Sequence, residues 1–193
     1  MRLPLLGWWS ALLLLLLPAK AVADAAPAAV DSSLREALIR AINASDSFTN
    51  RYVAEVWLMD MSQRLARWLP EPNERLELLR QVHYEATRAG LPPELVLAVI
   101  EVESAFNRWA ISSAGAQGLM QIMPFWLKEI GRPDDNLFHV GTNLRYGCTI
   151  LRHYLDRSKG NLTEALARYN GSYGRYDYPQ RVYRALDRHW FAQ

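Results

Sequence analysis

Glu103 is the residue best placed for proton chemistry. It follows the apolar run Val96-Leu97-Ala98-Val99-Ile100 and precedes a glycine-rich, amide-bearing loop from Ser113 to Pro124. At helical spacing Val96, Val99, Ile100 and Glu103 share one face, because positions three and four apart stand one above the other. A carboxyl on such a face is poorly solvated, which favours its protonated form and prepares it to donate a proton near neutral pH. Glu101 lies about 200° around the same helix at ~100° per residue, in line with Glu94. Both are read as solvated or cap-stabilising acids. Two acids on opposite faces cannot act on one bond, so the chemistry falls to Glu103. In the loop, Gly115 and Gly118 allow positive φ or a close backbone approach to a ligand, and Gln121 offers both a donor and an acceptor. That set suits a neutral substrate rich in hydroxyl and amide groups. Read without each other, Glu103 would pass for an ordinary acid at a helix end and the glycines for a plain turn.

Most glycosidases use two carboxylates, one to protonate the leaving oxygen and one to stabilise or trap the anomeric centre. Here Asp134 and Asp135 fall in a turn and Asp156 on a long helix, none tied by motif to Glu103. A single acid suffices where the substrate brings the second group, as an N-acetyl sugar can through its amide oxygen.

Several ordered motifs then resemble a known family. They are Glu103-Ser104; Gly118-Leu119-Met120-Gln121 with Met123-Pro124; Asn143 with Gly147 and Leu151; and Ala165-Leu166-Ala167-Arg168-Tyr169-Asn170-Gly171. In this order they resemble the soluble lytic transglycosylase (SLT) domain, over roughly Leu76 to Trp190. The last motif departs from the family's Ala-Tyr-Asn-Ala-Gly, reading Arg168-Tyr169-Asn170-Gly171-Ser172 here. The resemblance implies a mainly α, lysozyme-like fold close to goose-type lysozyme, with at most a small β element near the active-site loop. It implies cleavage of the bond between N-acetylmuramic acid and N-acetylglucosamine in peptidoglycan, with Glu103 as acid and then base and a 1,6-anhydro product. No metal or cofactor is needed on that route. By the same resemblance Tyr169 hydrogen-bonds near Glu103 and orients it, while Ser104, Gly118, Met120, Gln121 and Asn170 shape the sugar subsites. Plainer roles are Met120 in the core, Ser104 bonded to local backbone and Asn170 at a helix end. A goose-type-like hydrolase, or a non-catalytic wall or assembly protein on the same fold, are the alternatives.

The elements that must position these residues are helices. Pro92-Pro93 suits the first turn of the one carrying Glu103. Before it, Val53, Val56, Trp57, Met61, Leu65 and Trp68 recur at helical spacing from about Thr49 to Leu69. Pro70-Glu71-Pro72 then starts a helix with Leu76, Leu79, Val82 and Ala86 inward, stopped at Gly90. After the loop, Pro124 opens a short helix ending at Gly131, and Arg132 to Asn136 reads as a turn. Val140, Leu144, Gly147, Cys148, Leu151, Tyr154 and Leu155 mark a long amphipathic helix stopped by Gly160. Asn161 followed by Glu164 is a capping-box variant for the helix that delivers Tyr169 and Asn170. A last helix follows Tyr178-Pro179 with Val182, Tyr183, Leu186 and Trp190 inward. Among the tyrosines 173, 176, 178 and 183, core packing is expected of Tyr183 and no role is assigned to the others. No alternating run is long enough for a substantial sheet, so any strands should fall within residues 110–122.

The N-terminus carries Met1-Arg2, an apolar run from Leu3 to Leu17 and Ala21-Val22-Ala23, which read as a secretory signal peptide cleaved after Ala23. The run is short for a span of about 20 residues, although a retained anchor is the alternative. The expected organisation is 1–23 signal peptide, 24–75 mobile leader and N-terminal helices, and 76–193 SLT-type domain. Within the leader, Leu34 to Ile42 reads as a short helix. The protein is expected in the periplasm or cell envelope of a bacterium, as a monomer, with a possible envelope partner for the N-terminal helices. Removing Arg2 and Lys20 from the 22 Lys and Arg leaves 20 against 20 Asp and Glu, so nucleic acid and anionic membrane are poor partners on charge grounds. Cys148 is the single cysteine and reads as a buried small hydrophobe. The four histidines, 83, 139, 153 and 189, lack ligand spacing.

Overall fold

A computed structural model describes residues 47–48, 50–130 and 134–191. The signal peptide, the leader and the helix expected over 34–42 lie outside the described residues. So does the start of the turn at 132.

Among the described residues seven helices carry the fold, in the order α1 (Arg51–Leu65), α2 (Pro72–Arg88), α3 (Pro93–Ser104), α4 (Trp126–Ile130), α5 (Val140–Arg157), α6 (Leu162–Tyr169) and α7 (Asp177–Ala185). A π-helical turn, Leu186–Trp190, continues α7. The architecture is mainly α, as expected, and the β content is two isolated antiparallel bridges, Ile111 with Gln117 and Gln117 with Ile122. Both fall inside the expected 110–122 window.

Helix α3 is central because it is apolar on every side: Leu95 through Ile100 are all buried. Such a helix is stable only when neighbours cover it all round. It packs against α2, α7 and the π turn. It begins as the sequence suggested, with Pro92 as N-cap and Pro93 in the first turn. Its end is unusual, since Ala105 and Phe106 both take left-handed backbone, at φ 48° and 64°. For residues with a Cβ this conformation costs of order 1 kcal/mol each, and it is held only where packing over-determines it. Phe106 is buried against Trp68 and Trp190, with ring centres 5.1 and 5.5 Å away. That contact anchors the reversal immediately after Glu103-Ser104.

Helix α1 corrects one reading. Its buried seam is Ala54, Leu58, Met61 and Leu65, whereas Val53 and Val56 are 59% and 69% exposed. The helix is nearly as apolar on one side as on the other, so spacing alone could not choose the inward face. It also stops at Leu65, leaving Trp68 in the turn that follows. Through Leu58, Met61 and Leu65 it shares one core with the later helices, up to Trp190. Elsewhere the signals held. Gly90 ends α2 at φ 65°. The Asn161 side chain accepts from the Glu164 backbone N–H at 3.1 Å and caps α6. Cys148 is fully buried, which pushes its thiol up to about 12.

Candidate active site

Glu103 occupies the last turn of α3, half-buried, on the face prepared by Val96, Val99 and Ile100. Burial pushes its carboxyl up to about 7, against a smaller opposing pull from the Tyr178 hydrogen bond and the Arg181 charge. The unpaired carbonyls at the C-terminal end of the helix also disfavour a negative charge there. The acid is therefore about half protonated at neutral pH, with two groups ready to stabilise it once the proton leaves.

The hydroxyl that reaches Glu103 belongs to Tyr178, which donates to Oε1 at 2.7 Å. Tyr169, expected to hydrogen-bond near Glu103 and orient it, does not touch the carboxyl itself. Tyr169 stands in the last turn of α6 and donates instead to the Met120 carbonyl at 2.7 Å. Its ring is still close enough for the Glu103 charge to help raise its own pKa. Tyr178 comes from the first turn of α7, 75 positions along the chain from Glu103. The signal that pointed to it was weak: a tyrosine just before a helix-starting proline.

The loop beside Glu103 is held from three sides. The Asn143 side chain, 1% exposed, accepts from Met120 N at 2.8 Å and donates to the carbonyls of Gln117 and Leu137 at 2.9 and 2.8 Å. Tyr169 holds the Met120 carbonyl, and the Ser104 hydroxyl donates to the Leu119 carbonyl at 2.8 Å. Gly118 is required twice over. Its φ is 77°, and a Cβ there would collide with the Asn143 amide and approach the Leu137 carbonyl to 2.5 Å. Gln121 also adopts left-handed backbone, at φ 51°, and its amide nitrogen donates to the carbonyls of Gly118 and Ala110 at 2.9 and 3.2 Å.

These contacts sort the expected sugar-binding residues. Met120 has a fully buried side chain whose sulfur fills the space left by Gly147, so its side chain cannot line a subsite. Ser104 and Gln121 are half-buried and spend their donors on the loop backbone. Asn170 ends α6 and is exposed, away from these bonds. The structure thus brings Glu103, Ser104, Gly118, Met120, Gln121 and Tyr169 into one constellation, but most of them build the loop and do not present side chains from it.

The other acids are engaged elsewhere. Glu101 and Glu94, expected to be solvated or cap-stabilising, are half-buried in structural bonds, and Glu94 also stands in the first turn of α3, where an acid suits the helix N-terminus. Glu101 accepts from Trp190 Nε1 at 2.8 Å and lies 2.9 Å from His189 Nδ1, tying the π turn to α3. Glu94 accepts from Trp57 Nε1 at 2.6 Å, tying α1 to α3. Asp135 accepts from Tyr146 and Asp156 pairs with Arg152. Among the described residues no carboxylate is one of the groups acting on Glu103. What remains is one protonated carboxyl that can give up a proton and, stabilised by Tyr178 and Arg181, take one back.

The family model described as Transglycosylase SLT domain matches residues 80–190. A transglycosylase of Enterobacteria phage PRD1 is 40% identical over 82 residues, covering 42% of this chain and 30% of that protein. A membrane-bound lytic murein transglycosylase C of Glaesserella parasuis is 39% identical over 106 residues, covering 48% of this chain and 26% of the relative. The chain thus spans under a third of the length of these relatives. Among solved structures, the 70 kDa soluble lytic transglycosylase of Escherichia coli aligns with a TM-score of 0.39 and 22% identity, over 84% of this chain and 31% of that one.

Proposed function

This chain belongs to the transglycosylase SLT domain family, and from that premise we propose that it cleaves peptidoglycan as a lytic transglycosylase. The observation that carries the reading is the single half-buried carboxyl of Glu103, poised at about 7 beside Tyr178, with the other nearby acids tied up in structural bonds. The protonated Glu103 gives its proton to the glycosidic oxygen between N-acetylmuramic acid and N-acetylglucosamine, and that C–O bond breaks. The substrate's own acetamido oxygen stabilises the positive sugar, standing in for the second carboxylate of other glycosidases. Glu103, now ionised and held by Tyr178, takes the proton of the muramic C6 hydroxyl as that oxygen bonds to the anomeric carbon. The 1,6-anhydro ring closes and Glu103 regains its proton, so no water is consumed. Acid–base assistance of this kind supplies typically 10²–10⁴-fold in rate.

Incubating the protein with purified peptidoglycan and weighing the fragments tests the proposal. Anhydro-muramic ends support it, and fragments heavier by one water identify a hydrolase on the same fold. A glycan substrate places the working protein in the bacterial cell envelope, in line with the signal-like N-terminus. No helix among the described residues is long and apolar enough to cross a membrane.

A further inference from the structure

Helix α7 carries a cation next to the acid. Arg181 follows Tyr178 by three residues, so both side chains rise from one face of the helix. The Arg181 guanidinium carbon stands 5.6 Å from the centre of the Tyr178 ring, whose hydroxyl holds Glu103 at 2.7 Å. Arginines 64, 80, 88, 145, 152 and 168 pair with carboxylates, and of the nine described arginines that do not, Arg181 is the one whose charge acts on Glu103. Arg181 is exposed and forms no ion pair among the described residues. Asp177 stands one turn earlier, at a spacing that often gives such a pair, yet the guanidinium lies over the Tyr178 ring.

A guanidinium offers a planar fork of donors that matches a carboxylate, and an unpaired one keeps that fork free for a ligand. We propose that Arg181 is a specificity-determining residue that binds a substrate carboxylate beside Glu103, so that the site prefers glycan carrying a free carboxylate close to the bond cleaved. The proposal rests on the peptidoglycan reading above. In that polymer the carboxylate has two sources: the lactyl group of a muramic acid whose peptide has been removed, and the stem peptide itself. The titratable and charged groups facing Glu103 are Tyr178 and Arg181 from α7 and Tyr169 from α6. Arg181 is the one cation of the three, and its charge also favours the ionised Glu103 that forms in mid-turnover.

Cleavage kinetics of the full chain and of Arg181→Gln and Arg181→Lys separate the possibilities. Four substrates are compared: peptide-stripped glycan, the same glycan with its lactyl carboxyls converted to amides, stem-bearing glycan, and stem-bearing glycan with its stem carboxyls amidated. The expected result is that the wild type prefers one carboxylate form over its amide by at least about tenfold in kcat/KM, that Arg181→Gln abolishes the preference, and that Arg181→Lys keeps part of it. The pair showing the preference identifies the source. Arg181→Gln should also move the alkaline limb of the pH profile upward. Equal loss on every substrate, or no loss on any, overturns the proposal. A wild type inactive on all four would instead bring down the peptidoglycan reading beneath it.

Discussion

The phenol of Tyr178 donates to Oε1 of Glu103 at 2.7 Å from the first turn of a helix that contributes no other hydrogen bond to the acid. Because a hydrogen bond to a carboxylate stabilises the ionised form, this contact partly offsets the burial that raises the acid to about 7. It leaves Glu103 able both to give and to receive a proton.

Tyr178→Phe removes that stabilisation and keeps the ring. Hydrogen bonds to charged groups contribute roughly 1.5–3 kcal/mol, so cleavage at neutral pH should fall about tenfold or more. The proton-donating form is the protonated one, so the alkaline limb should move up from about 7. Tyr169→Phe, which frees the Met120 carbonyl instead, should lower activity with no such shift. A pH–rate profile of both variants decides between these roles.

Glu103→Gln should end turnover while stabilising the fold above neutral pH. In the folded chain the carboxyl ionises near 7, and in the unfolded chain near 4.5. Below 4.5 both states hold the proton and the group is neutral for stability; as pH rises from 4.5 to 7 the unfolded state gains by ionising first, and above 7 the penalty levels off. The penalty reaches about 3 kcal/mol at pH 8, at ~1.4 kcal/mol per pH unit. Thermal melts should show the variant more stable by several degrees at pH 8 and unchanged at pH 4.

Asn143→Leu should dismantle the catalytic loop although its side chain is 1% exposed. It strands two buried backbone groups, on Met120 and Leu137, each costing about 1–3 kcal/mol, and takes one of two hydrogen bonds from the Gln117 carbonyl, which keeps the Ile122 N–H. Gly118→Ala attacks the same contact from the other side, by overlap and positive φ. Both variants should lose at least about 2 kcal/mol in denaturant titration, and with it activity.

Acid should loosen α1 before the catalytic helices. Burial holds His83 down to about 4, against a weaker upward pull from Glu94. The ring stacks on Phe48 at 3.6 Å, meets the Ser47 hydroxyl at 2.9 Å and packs edge-on to Trp57. A depressed histidine is neutral for stability above its unfolded value of 6.5, where both states are uncharged, and costs stability as pH falls from 6.5 towards 4, because the unfolded state takes the proton first. Hydrogen exchange at pH 5 should therefore show faster opening of residues 51–65 than at pH 7.5, and His83→Phe should remove most of the difference.

Local signals in the sequence were enough to define much of this protein. The proline-started α2 and α3, the Gly90 stop and the Asn161 cap depend on contacts within a few residues, and so does the apolar face that makes Glu103 a reluctant carboxylate. The ordered motifs carried the family. What the sequence could not decide was which distant groups would meet. Whether Tyr169 or Tyr178 reached Glu103 depended on how α6 and α7 pack against α3. The structural roles of Glu101 and Glu94 depended on the indole N–H groups of Trp190 and Trp57 arriving from opposite ends of the chain. The inward face of α1 was equally hidden, because a helix apolar on both sides has its orientation chosen by its neighbours. Spacing along a helix is set by backbone geometry and can be read from sequence; partners across the core are set by the packing of whole elements, and only the tertiary structure selects them.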